Sequence, residues 1–562
     1  MSRRAKIVAT IGPSSNTIEM IEKLISAGMN VCRLNMSHGT HEGHAEVISN
    51  IRTASKNLNR EVAILCDLQG PKIRVDKLPQ NLKLEAGAEW VIGPSHVQEK
   101  YPEYKNNFIP TVYKNLVSDA HDGAIILFDD GLMEAKAFEK DREVLKIKIV
   151  IGGELKSNKG INLPNVNITA PSFTEKDKED LLFGLRHDVD YVALSFVRTK
   201  ECINEVKYLL HKLKKNVPII SKIEKPEAVA NIDEIIKVTD CIMIARGDMG
   251  VEVGNHLVPA IQKEIIRKCN AVGTPVITAT QMLESMTNNP RPTRAEANDV
   301  ANAVWDGTDA VMLSGETAGG DYPVESVTMM SNIILESEKQ PSERPFLRNM
   351  ELESVASSVQ IAASIIGEKN NAKWVVSVTQ SGYSCLKMSR FRSKMEVLGV
   401  TNSLQVMRKM CLYWGITPYY FQEKEEELST LPDQMIAQLK KQELVSNGDK
   451  IVITHGDGKF FKQGTSNSIR VEIIKDVPNE EKKIKGSDSI LEEDIDDGRI
   501  ILDTALCASC QSCINICPHD IFIRDEKNDT ALNPMTAKNC AKDMECVSAC
   551  PTGAIEIITS HI

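Results

Sequence analysis

Seven of the chain's 14 cysteines fall between residues 507 and 550. They form the run Cys507-x2-Cys510-x2-Cys513-x3-Cys517-Pro518 and a second run, Cys540-x2-Asp543-x2-Cys546-x3-Cys550-Pro551. The spacing is the same, except that an aspartate replaces one cysteine. Three cysteines spaced two apart wrap one face of an iron–sulfur cubane, and the fourth ligand comes from the other run. That rule assigns Cys507, Cys510, Cys513 and Cys550 to one cluster, and Cys517, Cys540, Cys546 and Asp543 to a second. Zinc is the competing ion, but zinc ribbons use two separated cysteine pairs rather than this triple spacing. A carboxylate is a harder ligand than a thiolate and should hold its iron less tightly. The second cluster is therefore expected as [4Fe–4S] with an oxygen ligand at Asp543, or as [3Fe–4S] after loss of that iron. The alternative is that water fills the corner and Asp543 stays off the metal.

A different set of reactive groups lies in the first 340 residues. Short apolar runs there each end in charged or glycine-rich residues: Arg33-Leu-Asn35-Met-Ser37-His38, Asp67-Leu-Gln-Gly-Pro, Ser221-Lys222-Ile-Glu224, Arg246-Gly-Asp248, Ala279-Thr280-Gln281 and Ser314-Gly-Glu316. Cations beside carboxylates at six such ends suit an anionic phosphorylated substrate. Paired carboxylates with open positions for water and substrate suit Mg2+.

These groups must be carried by an ordered set of strands. The near-continuous apolar runs 6–10, 30–34, 62–66, 191–196, 218–223, 241–245, 275–280 and 310–313 predict strands covered on both faces. Helical stretches lie between them. One opens on the capping-box pattern Ser172-Phe-Thr-Glu175. Eight alternating strands and helices give an α/β fold, a (β/α)8 TIM barrel over 1–69 and 168–340 with its chemistry at the C-terminal strand ends. The alternation breaks at 70–167, which reads as an inserted β-barrel lid domain. Residues 341–350 read as a linker and 351–475 as an α/β C-terminal domain. Strands are expected there at 374–378, 396–400, 450–454 and 468–473. Residues 476–498 read as a second, charged linker. Residues 499–562 read as a small α+β domain, whose two cysteine units repeat at 33 residues.

ATIGPSS, RLNMSHGTHE, SKIE, ARGDMGVE, TATQMLESM and PRPTRAEANDVANAVWDGTDAVMLSGETA resemble pyruvate kinase over about residues 1–475. The tail resembles bacterial two-cluster ferredoxins. The first resemblance implies transfer of the phosphoryl group of phosphoenolpyruvate to ADP, giving pyruvate and ATP. It implies that Lys222 neutralises the transferring group, that Glu224 and Asp248 hold Mg2+, and that Arg33 binds the phosphoryl group. The backbone of Ala245, Arg246 and Gly247, with Thr280, would take the substrate carboxylate, and Thr280 and Ser314 would serve proton delivery. Arg74 and Lys159, with Asn35 and His38, would contact the nucleotide when the lid closes. Family members that need K+ bind it with groups matching Asn35, Ser37, Asp67 and Leu68, and carry Glu where this chain has Lys72. A lysine ammonium can replace the ion, so activity without a K+ requirement is expected. The alternative is a solvated hinge lysine beside a working K+ site. Thr379, Ser381, Gly382 and Ser384 match the family's effector-phosphate loop, and a plain structural turn is the alternative. The family implies a homotetramer.

The formal charge of −10 is unevenly placed: residues 486–562 hold 14 acidic against 5 basic side chains. The remainder is near neutral, which argues against nucleic-acid binding. The acidic tail suits a redox partner or a plain solvated surface. With no apolar run long enough to span a bilayer, no membrane association and a cytoplasmic location are expected. A second reading makes the chain an electron carrier or redox sensor, with the barrel as its anchor or regulated output.

Overall fold

The computed structural model describes residues 3–340, 354–422, 431–456, 461, 466–475, 490–496, 498–508, 510–524, 529–540 and 544–559. The linker expected at 341–350, most of that expected at 476–498, and Asp543 lie outside them. Two compact units, Met1–Lys475 and Asp476–Ile562, make up the chain.

In the first unit, eight parallel strands close into a barrel: Lys6–Thr10, Val31–Asn35, Ala63–Asp67, Tyr191–Leu194, Ile219–Ile223, Cys241–Ala245, Val276–Ala279 and Ala310–Leu313. Each falls within one residue of its predicted run or inside it, because strands buried on both faces are continuous apolar segments. Val8, Leu65, Tyr191, Ile220, Met243 and Met312 fill the barrel interior. A second apolar layer packs the outer strand faces against helices such as Ile18–Ala27 and Val258–Val272. Helix Glu175–Arg186 does open on a capping box, but Thr174 and Asp177 form it in place of the expected Ser172 and Glu175, two residues further along.

The segment inserted after Ala63–Asp67 was expected as a β-barrel. It forms a mixed six-stranded sheet with a two-stranded ribbon, Leu82–Leu84 with Gly153–Leu155. The sheet edges are the two-residue strand Ile161–Asn162 and Phe108–Thr111. Isolated bridges from Arg74 to Gly160 and from Val75 to Thr111 join these edges, in place of a continuous ladder. The hinge turns at Gly70, whose φ of +68° and whose closeness to Ser195 and Phe196 leave no room for a Cβ.

The C-terminal part carries a five-stranded sheet in the order Ile416–Tyr420, Val397–Thr401, Trp374–Val378, Lys450–Gly456, Ser466–Ile473. The strand Ile416–Tyr420 was not predicted. Pro418 masks it, and proline is tolerated there because the strand is at the sheet edge. The segment leading into it plugs the N-terminal mouth of the barrel. Cys411 and Leu412 join the barrel interior, the Tyr191 hydroxyl donates to the Lys409 carbonyl at 2.7 Å, and Lys6 Nζ donates to the Ile416 carbonyl at 2.7 Å. Arg392 pairs with Asp309 at 2.7 Å, with both side chains buried.

The second unit pairs Ile490–Ile495 with Gly498–Asp503 and Ile555–Thr559, and Phe522–Arg524 with Thr530–Leu532. Ile490–Ile495 begins inside the segment read as linker. Its run of acidic residues hid the strand, although Ile495 joins the apolar core.

Burial, and then Arg3, push the Lys6 ammonium down to about 8. An unfolded lysine titrates near about 10.4, so between these values the unfolded chain holds a proton that the folded chain lacks. Stability should rise as pH increases from about 8 to about 10. Lys6→Met should flatten that rise in urea midpoints, and parallel pH profiles for the two proteins would contradict the assignment.

Candidate functional site

Closing the barrel brings together groups that are far apart in the chain. Arg33 lies in the middle of the second strand and Asp67 ends the third, while Lys222 lies near the end of the fifth and Glu224 directly follows it. Lys222 Nζ stands 3.3 Å from Asp67 Oδ1, 3.1 Å from Glu224 Oε1 and 2.7 Å from Ser195 Oγ. Arg33 Nε meets the other Asp67 oxygen at 2.7 Å, and its Nη1 donates to Thr10 Oγ at 3.0 Å. Burial alone would depress the Lys222 ammonium, but Asp67 and Glu224 outweigh it and hold its pKa above the ordinary lysine value. Burial favours the neutral form of Asp67, but Lys222 and Arg33 prevail and keep its carboxyl below the usual range. Glu224 shifts the other way: burial dominates, Lys222 opposes it and Asp248 adds to it.

Glu224 Oε2 accepts from the Phe196 amide at 2.7 Å, whereas Glu224 Oε1 and Asp67 Oδ1 are buried and face the Lys222 ammonium as ion pairs without hydrogen-bond geometry. A buried carboxylate oxygen with no donor is costly unless a cation faces it. Glu224, with Asp248 on helix Arg246–Val253, offers the carboxylate oxygens that suit a hard divalent ion.

Arg246 turns its guanidinium away from the barrel mouth, to Asp299 at 2.7 Å and to the Thr280 carbonyl at 2.7 Å. Only its backbone is left for a ligand. The pull on the Thr280 carbonyl has a purpose. Thr280 and Gln281 have φ of +68° and +53°, a strained region for a β-branched threonine. So held, Thr280 Oγ accepts from the Gly247 amide at 2.8 Å. Ser314 Oγ is buried with no hydrogen-bond partner, and Glu316 fixes the loop by accepting from the Ser314 and Leu283 amides.

Arg74 and Lys159 lie side by side on the inserted sheet, where the Val75 amide donates to the Lys159 carbonyl at 2.9 Å. The guanidinium of Arg74 donates to the Asn158 carbonyl, and Lys159 pairs with Asp129. Burial, then Arg74, Arg33 and Lys72, press the His38 imidazole below its ordinary value, so these cations share one neighbourhood. Asn35 Oδ1 accepts from the Ser37 amide, and the Leu68 carbonyl accepts from Ser195 Oγ. Lys72 was expected to supply positive charge in place of a K+ ion. Its ammonium lies 3.6 Å from Asp248 and 3.9 Å from Asp130. Thr379 Oγ accepts from the Gly382 amide and Ser384 Oγ contacts Ser466 Oγ, while Ser381 is exposed. These form a tight strand-to-helix turn in the C-terminal sheet, away from the barrel mouth.

Sequence reasoning missed Ser195, Thr10 and Glu316. Thr10 ends one barrel strand and Ser195 follows another, so their position was the available signal. Glu316 was part of a quoted motif without a role.

In the second unit the two cysteine runs take the same shape. Gln511 and Met544, 33 residues apart, have φ of 65° and 60° and precede the helices Ser512–Ile516 and Glu545–Ala549. Cys517 and Cys550 end those helices in extended conformations. Cys507, Cys510, Cys513 and Cys550 line one cavity, and Cys517, Cys540 and Cys546 line another. Among the described residues no three histidine, cysteine or acidic side chains converge closely enough to hold a single metal ion.

Lys222, Arg33 and Lys72 thus bring positive charge to the barrel mouth beside Asp67, Glu224 and Asp248, an arrangement that suits an anionic phosphorylated substrate and a phosphotransferase. The family model for the pyruvate kinase barrel domain matches residues 2–327, and that for the pyruvate kinase alpha/beta domain matches 356–472. Pyruvate kinases of Staphylococcus epidermidis and Staphylococcus aureus are each 42% identical over 480 residues, covering 84% of this chain and 81% of the relative. The chain belongs to the pyruvate kinase family. Among the described residues no helix is long and apolar enough to cross a membrane.

Proposed function

We propose that the barrel mouth transfers the phosphoryl group of phosphoenolpyruvate to ADP, and that the resulting enolate is protonated at carbon to give pyruvate. The observation that carries this reading is Lys222 held charged between Asp67 and Glu224 with Arg33 alongside. Phosphoryl transfer needs positioning and charge neutralisation more than covalent catalysis. Lys222 and Arg33 stabilise the transferring group. Glu224 and Asp248 hold Mg2+, which when bound neutralises the substrate carboxylate and the developing enolate oxygen. The amides of the Ala245–Gly247 segment, with Thr280 Oγ, orient the carboxylate. Thr280 and the unpartnered Ser314 hydroxyl position the water that supplies the proton. Arg74, Lys159, Asn35 and His38 take the nucleotide, and closure of residues 70–167 over the mouth excludes water. The family match and the complete set of site groups do not favour a barrel that serves only as an anchor. A cytoplasmic homotetramer remains the family-based expectation, and the turn at Thr379–Ser384 is the candidate effector site.

Lys222→Met should lower kcat by about 10²–10³-fold or more, with a smaller change in the KM for phosphoenolpyruvate. An unchanged kcat in a lactate-dehydrogenase-coupled assay would remove Lys222 from the mechanism. Lys72 beside Asp248 supplies fixed positive charge at the mouth, so the enzyme should run at comparable rates in K+ and in tetramethylammonium salts. Strong activation by K+ would refute this.

The tail is proposed as a two-cluster iron–sulfur module with a redox-sensing or electron-transfer role. The partition of seven cysteines between two cavities supports this reading, as do their matched left-handed turns. Cys510 and Cys550 also support it: hydrogen bonds from Ser512 lower the Cys510 thiol, and although burial raises that of Cys550, hydrogen bonds from Thr552, Ala554 and Gly553 together lower it, favouring the thiolate. Asp543 is assigned to the second cluster, which is the more easily oxidised to a three-iron form. Anaerobic protein should contain about eight irons per chain, or about seven after air exposure, with a three-iron EPR signal. Zinc in place of iron would overturn the module, and absence of the three-iron signal would count against the labile corner.

A further inference from the structure

The hinge of the inserted sheet is fastened to the barrel by a buried polar unit that the phosphoryl-transfer chemistry does not use. Asn162 lies on the edge strand Ile161–Asn162. Its Nδ2 donates to Glu252 Oε1 at 2.8 Å, and the same oxygen accepts from Lys225 Nζ at 2.7 Å. All three residues are buried, with relative exposures of 6%, 3% and 7%. Burying a charged pair with a polar third partner is expensive and adds little net stability. Its position in the fold gives it another use.

Lys225 directly follows Glu224, and Glu252 lies one helical turn after Asp248 on helix Arg246–Val253. The Lys225–Glu252 pair therefore joins the two elements that present the metal carboxylates. Lys225 Nζ also lies 6.0 Å from the centre of the Phe196 ring, and the Phe196 amide holds Glu224. Asn162 ties the inserted sheet to the same carboxylate oxygen. Beside this unit is a cavity lined by Lys72, Ile73, Asn162, Val166, Lys225 and Glu252, so one wall belongs to the hinge and the other to the barrel. Arg198 anchors the return strand of the hinge by donating to the Ile168 and Ala170 carbonyls.

We propose that Glu252 is a positioning residue: with Lys225 it sets the spacing of Glu224 and Asp248, and through Asn162 it couples that spacing to the position of the lid. The proposal rests on the reading of Glu224 and Asp248 as the divalent-metal ligands. The two arms of the unit should separate experimentally. Asn162→Ala removes the neutral arm and leaves the ion pair, whereas Glu252→Gln removes the charge that the pair needs.

The test uses the full chain, with Mn2+ as the metal probe in room-temperature EPR titrations, steady-state kinetics, and hydrogen exchange over residues 158–168. Asn162→Ala should keep the Mn2+ affinity of the free enzyme within about twofold, speed exchange at 158–168, and lower kcat by about ten- to a hundredfold through misplacement of the lid. Glu252→Gln should weaken Mn2+ binding by about tenfold or more, as the loss of other groups that orient metal ligands does. If that variant fails to fold, Lys225→Met/Glu252→Gln removes both charges, and it should still weaken Mn2+ binding because the staple between the two elements is gone. Wild-type exchange and kcat in Asn162→Ala, or wild-type Mn2+ affinity in the Glu252 variants, would overturn the proposal. Wild-type Mn2+ affinity in Asp248→Asn would instead overturn the metal-ligand reading beneath it.

Discussion

The first unit is organised around the need to neutralise Lys222 inside a barrel mouth. A buried ammonium without carboxylates would lose its proton or destabilise the fold. Asp67 and Glu224 prevent this, and Arg33 takes the second oxygen of Asp67. These groups come from neighbouring strands whose registers are linked. Asn35 lies opposite Asp67, Asp67 opposite Ala193, and Leu194 opposite Ser221. A slip at any one of these pairings would separate the ammonium from its counter-charges. Barrel closure and site electrostatics are thus one constraint.

The two ends of the barrel carry opposite duties. At the C-terminal mouth, the buried Ser314 hydroxyl is left without a hydrogen-bond partner, and Thr280 is held in a strained conformation. Such costs persist where function uses them. At the N-terminal mouth, Cys411 and Leu412 fill the opening, and Lys6, Tyr191 and Arg392 bond across it. Stability is concentrated at the plugged end, which leaves the other end free to bind and close.

The second unit is too small to rely on its core alone. Its buried apolar residues include Ile500, Leu502, Phe522 and Ile557, but Cys513 and Cys546 belong to the same cluster. The repeat is expressed in backbone as well as sequence: each run turns through a left-handed residue into a five-residue helix and exits at a Cys-Pro. Left-handed glutamine and methionine are uncommon, and finding both at the same repeat position argues for a shared constraint.

Much of this was legible in order along the chain. Continuous apolar runs marked the eight barrel strands because both of their faces are covered. Charged residues at strand ends marked Lys222, Glu224, Asp248 and Arg33 because the chemistry of such barrels sits at the C-terminal strand ends. The reading was incomplete where local pattern and environment disagree. Pro418 hid an edge strand, and acidic residues hid Ile490–Ile495. Thr10 and Glu252 lie in the quoted motifs ATIGPSS and ARGDMGVE but had no role there, and their roles, like those of Ser195 and Asn162, come from the partners they meet. The sequence by itself determined which groups are present and which elements carry them, because periodicity and strand-end composition are local properties. Tertiary structure decided which carboxylate each cation meets: Lys222 with Asp67, Lys72 with Asp248, and Lys225 with Glu252. Those pairings depend on closure and hinge geometry over separations of tens to hundreds of residues, and Coulomb attraction selects among partners only after the backbone has brought them within a few ångströms.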